Sequence, residues 1–194
     1  MGCDIHTYRE KFVGGKWVTA DPWVDYDYGE GEKGKEVPYE KHAYTGRNYN
    51  LFGVLAGVRK RDLEFEIKPR GMPFDASLEV QDERDHWGAA GHSHSYLYLH
   101  ELRSLREWMR GRMIPVSGMK NREELAALKR SIASESPNWK LLYPYCQGTT
   151  DRTQVEFQID FPMEFMIGEC LDKIIAAFDG IEGENHRLVF WFDN

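Results

Sequence analysis

The residues best suited to chemistry cluster in two short stretches. One is Trp87-Gly88-Ala89-Ala90-Gly91-His92-Ser93-His94-Ser95-Tyr96, where two histidines stand two apart, each followed by a serine. The other is Cys3-Asp4-Ile5-His6, near the start of the chain. Imidazoles combined with a carboxylate suit zinc, or manganese or iron in a hydrolytic role. Such a metal lowers the pKa of a bound water and polarises a phosphoryl or carbonyl oxygen. Asp4, His6, His92 and His94 are therefore the expected ligands of a divalent metal, zinc or manganese. Asp193 adds an oxygen ligand if the last strand lies beside the first. Ser93 and Ser95 are expected to orient the ligands and, with Arg47 and Asn48, to line the substrate side.

Two other chemistries fit the same residues. Histidine titrates near neutral pH, so two facing histidines can act as general acid and base on a phosphodiester. One phosphoesterase class carries two His-x-Ser/Thr units. Here Thr7 follows His6 directly and Ser95 follows His94 directly, so this chain departs from that pattern. The third possibility is ligand binding without catalysis. A long aromatic-rich stretch, Arg47 at a helix start and the arginines 103, 106 and 110 would then hold a nucleotide-like ligand by stacking and charge. Turnover that is lost in His92→Ala and His94→Ala separates an enzyme from a binding module.

The elements that must carry these residues follow from periodicity. Residues 3–9 alternate, with Cys3, Ile5 and Thr7 on one face and Asp4, His6 and Tyr8 on the other. Asp4 and His6 then lie about 6–7 Å apart along a strand. Gly14-Gly15 supplies a hairpin turn into Lys16-Trp17-Val18-Thr19. If 92–94 is extended, His92 and His94 share a face too. Residues 21–46 show no period and are expected to form a long, mobile loop of the lid or binding type. Leu51, Val54, Leu55 and Val58 mark a helix capped by Asn48 or Asn50, and Arg47 beside that end can grip a phosphate or carboxylate. Residues 59–75 read as a loop, with Asp75 capping a helix over 76–86.

After Tyr96 an amphipathic helix buries Leu99, Leu102, Leu105 and Met109, ended by Gly111 and Pro115. Asn121 to Glu124 is a capping-box start for a helix carrying Leu125, Leu128 and Ile132. Residues 139–147 are expected to form a strand broken at Pro144. Val155, Phe157, Ile159 and Phe161 alternate as a half-buried strand, and a helix over 164–178 follows, with Cys170 on its inner side. Leu188 to Phe192 is apolar on both faces, as in a central strand. This order has no regular βαβ repeat and no Gly-rich dinucleotide or P-loop fingerprint. It predicts a single α+β domain over 1–194, with helices packed on a mainly antiparallel sheet.

Composition bounds the rest. A chain of 194 residues that is 41% hydrophobic and 13% aromatic can fill one core. Its formal charge of -7 disfavours bulk nucleic acid, but not a small phosphorylated ligand. The three cysteines form no CxxC, which excludes zinc-ribbon and thioredoxin readings and fits a reducing cytosol. No apolar run reaches the ~20 residues of a membrane span, and no signal peptide is expected. Met1-Gly2-Cys3 resembles an acylation start, but His6 stands where that pattern wants Ser or Thr.

The opening Met1-Gly2-Cys3-Asp4-Ile5-His6 resembles a family of small bacteriophage and prophage proteins. The stretches Arg47-Asn48-Tyr49-Asn50-Leu51-Phe52, Gly91-His92-Ser93-His94-Ser95-Tyr96-Leu97 and Phe190-Trp191-Phe192-Asp193-Asn194 extend the resemblance along the whole chain. It implies a phage origin and a cytoplasmic setting in a bacterial host, with a role on nucleotides or against a host defence, and it carries no mechanism. The leading expectation is metal-dependent hydrolysis of a phosphorylated or nucleotide-like small molecule. The alternative is a non-catalytic accessory protein that binds such a ligand or a host protein.

Overall fold

The computed structural model describes residues 2–29, 32–60, 65–142 and 154–193. The chain begins with β1 (Ile5–Val13), which turns at the two glycines into β2 (Lys16–Thr19). A second hairpin pairs β3 (Val24–Gly29) with β4 (Glu32–Glu36). Then come α1 (Tyr49–Ala56), α2 (Leu78–Trp87), β5 (His92–Tyr98) and α3 (Leu99–Met109). They are followed by β6 (Met113–Lys120), α4 (Arg122–Ile132), β7 (Val155–Pro162), α5 (Met163–Ala176) and β8 (Asn185–Phe192). The main sheet has the order β2-β1-β8-β5, antiparallel throughout, while β6 and β7 form a separate antiparallel ribbon. The fold is α+β.

The doubly apolar last strand is central, as its composition requires: β8 lies between β1 and β5, and Phe190, Trp191 and Phe192 are fully buried. Its two faces differ in chemistry. Leu188, Phe190 and Phe192 join Ile5 and Leu97 in a core filled by α1, α3 and α5. Val189 and Trp191 look the other way, into a smaller aromatic cluster with Tyr8, Val80 and Ala76 that α2 covers. Asp4 and His6 project to this second face, because strand alternation places His6 across from Trp191.

Further along that face lies Arg187, buried at 1% side-chain exposure. It donates from Nε to Glu10 Oε2 (2.6 Å) and from Nη1 to Asp75 Oδ1 (2.8 Å), and it stacks over Trp17 at 4.0 Å. Asp75 is thus spent on Arg187. The cap position of α2 is Ser77, whose side chain makes no capping bond, while its N–H donates to Glu10 Oε1 (2.6 Å).

Two further expectations change, and one stretch with no expected element forms a strand. The stretch 21–46 holds the β3–β4 hairpin where a loop was expected, because Val24, Tyr26 and Tyr28 alternate with Asp25 and Asp27 despite the surrounding glycines. Residues 113–120 form a strand, with Pro115 opposite Asp160. Of the expected strand over 139–147, residues 139–142 form a short 3-10 turn, and the rest lies outside the described residues. The arginine row on α3 is largely neutralised: Arg106 pairs with Asp172 and Glu164, and Arg110 with Glu107.

Candidate functional site

The antiparallel pairing of β1 with β8 brings the two ends of the chain together. Ile5 faces Phe192, and the next residue of each strand continues the contact. The Asp4 N–H donates to Asp193 Oδ1 (2.9 Å), and the Asp193 N–H to the Asp4 carbonyl (3.2 Å). These two bonds fix the Asp193 side chain, whose Oδ2 lies 3.3 Å from His6 Nε2. The last turn of α2 sets Trp87 against the His6 ring, at 4.1 Å between centroids. Trp87 is itself tied by Nε1 to Glu83 Oε1 (3.1 Å), an oxygen that also accepts from the Tyr8 hydroxyl (3.1 Å).

Arg47 enters from the start of α1. Asn48 caps that helix, accepting from the N–H groups of Asn50 and Leu51, and its Nδ2 donates to the Met166 carbonyl (2.8 Å). This holds the preceding residue in place. Arg47 grips Asp4 with two parallel bonds, Nη2 to Oδ2 at 2.6 Å and Nε to Oδ1. Its guanidinium lies beside Gly2, where an added Cβ would meet Nη1 at 2.7 Å and push the arginine aside. Asp4, His6, Arg47, Trp87 and Asp193, with Tyr39 and His42, line a cleft of about 540 Å³.

The electrostatics are asymmetric. Burial pushes the His6 pKa down, and the Asp193 carboxylate opposes this only in part, so the ring is neutral at pH 7. The Arg47 guanidinium holds the Asp4 carboxyl below the usual range. The Asp4–Arg47 pair is half exposed, at 43% and 56% of the side chains, and an exposed pair contributes only about 0–1 kcal/mol. A ligand anion can therefore compete for Arg47.

His92 and His94 do not join this cleft. Between Ser95, opposite Phe190, and His92, opposite Phe192, β5 carries one residue more than β8. Ser93 takes up this bulge at φ 52°. The extra residue breaks the alternation and turns the histidines to opposite faces. His92 packs on Phe192, on the helix-covered side, and His94 on Trp191, on the other. His94 shares a cross-strand row with His6, but the Trp191 indole lies between them.

The Nε2 atoms of both histidines and the Trp191 Nε1 are buried without a hydrogen-bond partner among the described residues. Ser93 Oγ lies 3.0 Å from His92 Nδ1, and Ser95 is buried, accepting from the Arg70 N–H (3.2 Å). Both serines, and Asn48 likewise, are therefore occupied within the fold. The expected quartet Asp4, His6, His92 and His94 thus splits, and only the first two meet. Among the described residues, no group of three or more His, Cys, Asp or Glu side chains is placed to hold a metal.

Sequence reasoning located Asp4, His6, Arg47 and the conditional Asp193, and it missed Trp87, Tyr39 and His42 as cleft residues. Trp87 opens the stretch that holds the histidine pair, so its position carried a signal. His42 carried none: its Nδ1 meets the Thr7 carbonyl (3.0 Å) across 35 residues of sequence. No helix among the described residues is long and apolar enough to cross a membrane. Compared with known proteins, the chain matches no family model, no curated protein and no solved structure.

Proposed function

We propose that the cleft binds a phosphorylated or nucleotide-like small molecule and hydrolyses it, with His6 as the acid–base group. The observation that carries this is His6 held at Nε2 by Asp193 in a cleft with an aromatic wall and an arginine at its edge. Trp87 and Tyr39 offer stacking surface for a planar ring, and Arg47 meets the phosphoryl oxygens when it exchanges Asp4 for the ligand. A water attacks phosphorus and its proton passes to His6 Nδ1. The new O–P bond forms as the P–O bond to the leaving group breaks, and His6 returns the proton to that leaving oxygen. Asp193 steadies the imidazolium in between. The test is a panel of phosphomonoesters, phosphodiesters and nucleotides presented to wild type and His6→Gln. Turnover of at least one member that falls about 10²–10⁴-fold in the variant supports the proposal. Turnover unchanged by the substitution removes it.

Two specific observations favour other readings. Asp4, His6 and Asp193 all line the cleft, and although they are not placed for a metal while Arg47 holds Asp4, release of Asp4 would leave a carboxylate–imidazole–carboxylate set of the kind zinc or manganese takes. Elemental analysis of wild type and His6→Ala/Asp193→Ala decides this. Separately, Phe74 in the turn before α2 and Leu78 at its first residue stand exposed at 97% and 74%, as an apolar anchor for a protein partner would. That favours the non-catalytic role of a phage accessory protein bound to a host protein. It predicts that Phe74→Ser/Leu78→Ser abolishes co-purification of a host protein while leaving ligand binding intact.

A further inference from the structure

The His6 cleft does not end at Arg47. A second cleft, of about 530 Å³, is lined by the same Tyr39, His42, Thr45 and Arg47, and then runs on to Lys140, Phe165 and Lys173. The segment 39–47 is thus the shared wall of one elongated groove. Its two ends differ. Trp87, His6 and Asp193 occupy one, and the ammonium groups of Lys140 and Lys173 stand at the other.

The lysine end carries exposed, exchangeable charge. Lys140 carries no ion pair among the described residues. Lys173 pairs with Glu169 at 2.7 Å in an i,i+4 contact, but the two side chains are 63% and 81% exposed, and such a pair is readily exchanged. Glu40 also lines this end. Lys140, Lys173 and Arg47 stand against Glu40, Glu169 and the Asp4 carboxylate that Arg47 holds, so the end is balanced, and the exposed pairs are the ones a polyanion would exchange.

From this we infer that the groove is built for a nucleoside polyphosphate: the planar ring against Trp87 and Tyr39, the first phosphate at Arg47, and the distal phosphates at Lys140 and Lys173. This rests on the reading that the His6 cleft takes a nucleotide-like ligand. A monophosphate would fill only the first cleft and leave the lysines without a role. A longer phosphate chain follows the shared wall and replaces the exposed Glu169–Lys173 contact with stronger charge-assisted ones.

The test is calorimetric titration of the full chain with adenosine mono-, di- and triphosphate and with inorganic triphosphate, for wild type and for Lys140→Ala/Lys173→Ala. Both lysines are exposed, so the variant is expected to fold. The triphosphate should bind wild type at least about tenfold more tightly than the monophosphate, as one or more additional charge-assisted contacts supply. In the variant that advantage should vanish while monophosphate affinity stays unchanged. Equal affinities in wild type, or an advantage that survives the double substitution, would overturn the inference and leave the His6 reading standing. Inorganic triphosphate binding as tightly as the nucleotide would overturn the nucleoside part. If no nucleotide binds at all, both readings fall together.

Discussion

His6 is 18% exposed at the side chain and is held at one nitrogen by Asp193, and both features decide how the site responds to pH. Burial lowers its pKa and the Asp193 charge raises it. Activity that needs neutral His6 should therefore rise along an acid limb centred below the ordinary histidine value of about 6.5. In Asp193→Asn the raising influence is gone, so the limb should move to still lower pH while the plateau drops. A limb that moves to higher pH would contradict the assigned pairing. His94 is also depressed, by burial first and by the charge of Arg84 second. A base that is harder to protonate folded than unfolded favours the native state above its unfolded pKa. Stability is thus complete above about pH 6.5 and is lost as pH falls towards the lowered folded values. Thermal melts between pH 7.5 and 5 should show this loss in wild type and a smaller one in His94→Gln.

At the scale of the element, the bulge in β5 separates the expected metal quartet from what the fold builds. A His-x-His pair in an extended segment shares a face, and nothing in the residues 92–94 announces the extra residue. It becomes visible only in the pairing of β5 against β8, where Ser93 takes a left-handed backbone. Ser93→Val puts a β-branched side chain at that φ and should lower stability by about 1–3 kcal/mol, whereas Ser93→Gly should be tolerated. Equal melting temperatures for the two variants would argue against the bulge.

Elements with strong local signals were legible. The Asn121 capping box forms both of its bonds, the alternating run from Val155 is β7, and the doubly apolar run near the end is the central strand. The β3–β4 hairpin and β6 were not. Glycines interrupt the alternation of the hairpin, and β6 carries Pro115 and is paired by β7, a strand that no local window around it reveals.

For the whole molecule, the sheet divides labour. The face packed by α1, α3 and α5 is mostly aliphatic and aromatic, with Thr7 and Ser95 buried on either side of Phe190, while the face under α2 carries its charged groups at both ends. Asp4, His6 and Asp193 stand at one end of that face, and the Glu10–Arg187–Asp75 network at the other. The network joins the sheet to the turn before α2, the helix whose far end delivers Trp87 to the cleft. Arg187→Ala would strand two carboxylates, one fully buried, and should cost about 3–5 kcal/mol in urea unfolding. A loss under about 1 kcal/mol would show the network to be dispensable.

The meeting of the chain's ends at the site was legible only as a condition on strand order, since the pairing of first with last strand depends on the whole topology. The measurement that bears most directly on the proposed chemistry is nucleotide turnover at pH 7 in the presence of a chelator, wild type against His6→Gln. Wild type should keep its turnover with the chelator present, and His6→Gln should lose about 10²–10⁴-fold of it. Turnover abolished by the chelator, or equal in the two proteins, would contradict the assignment of His6 as the acid–base group.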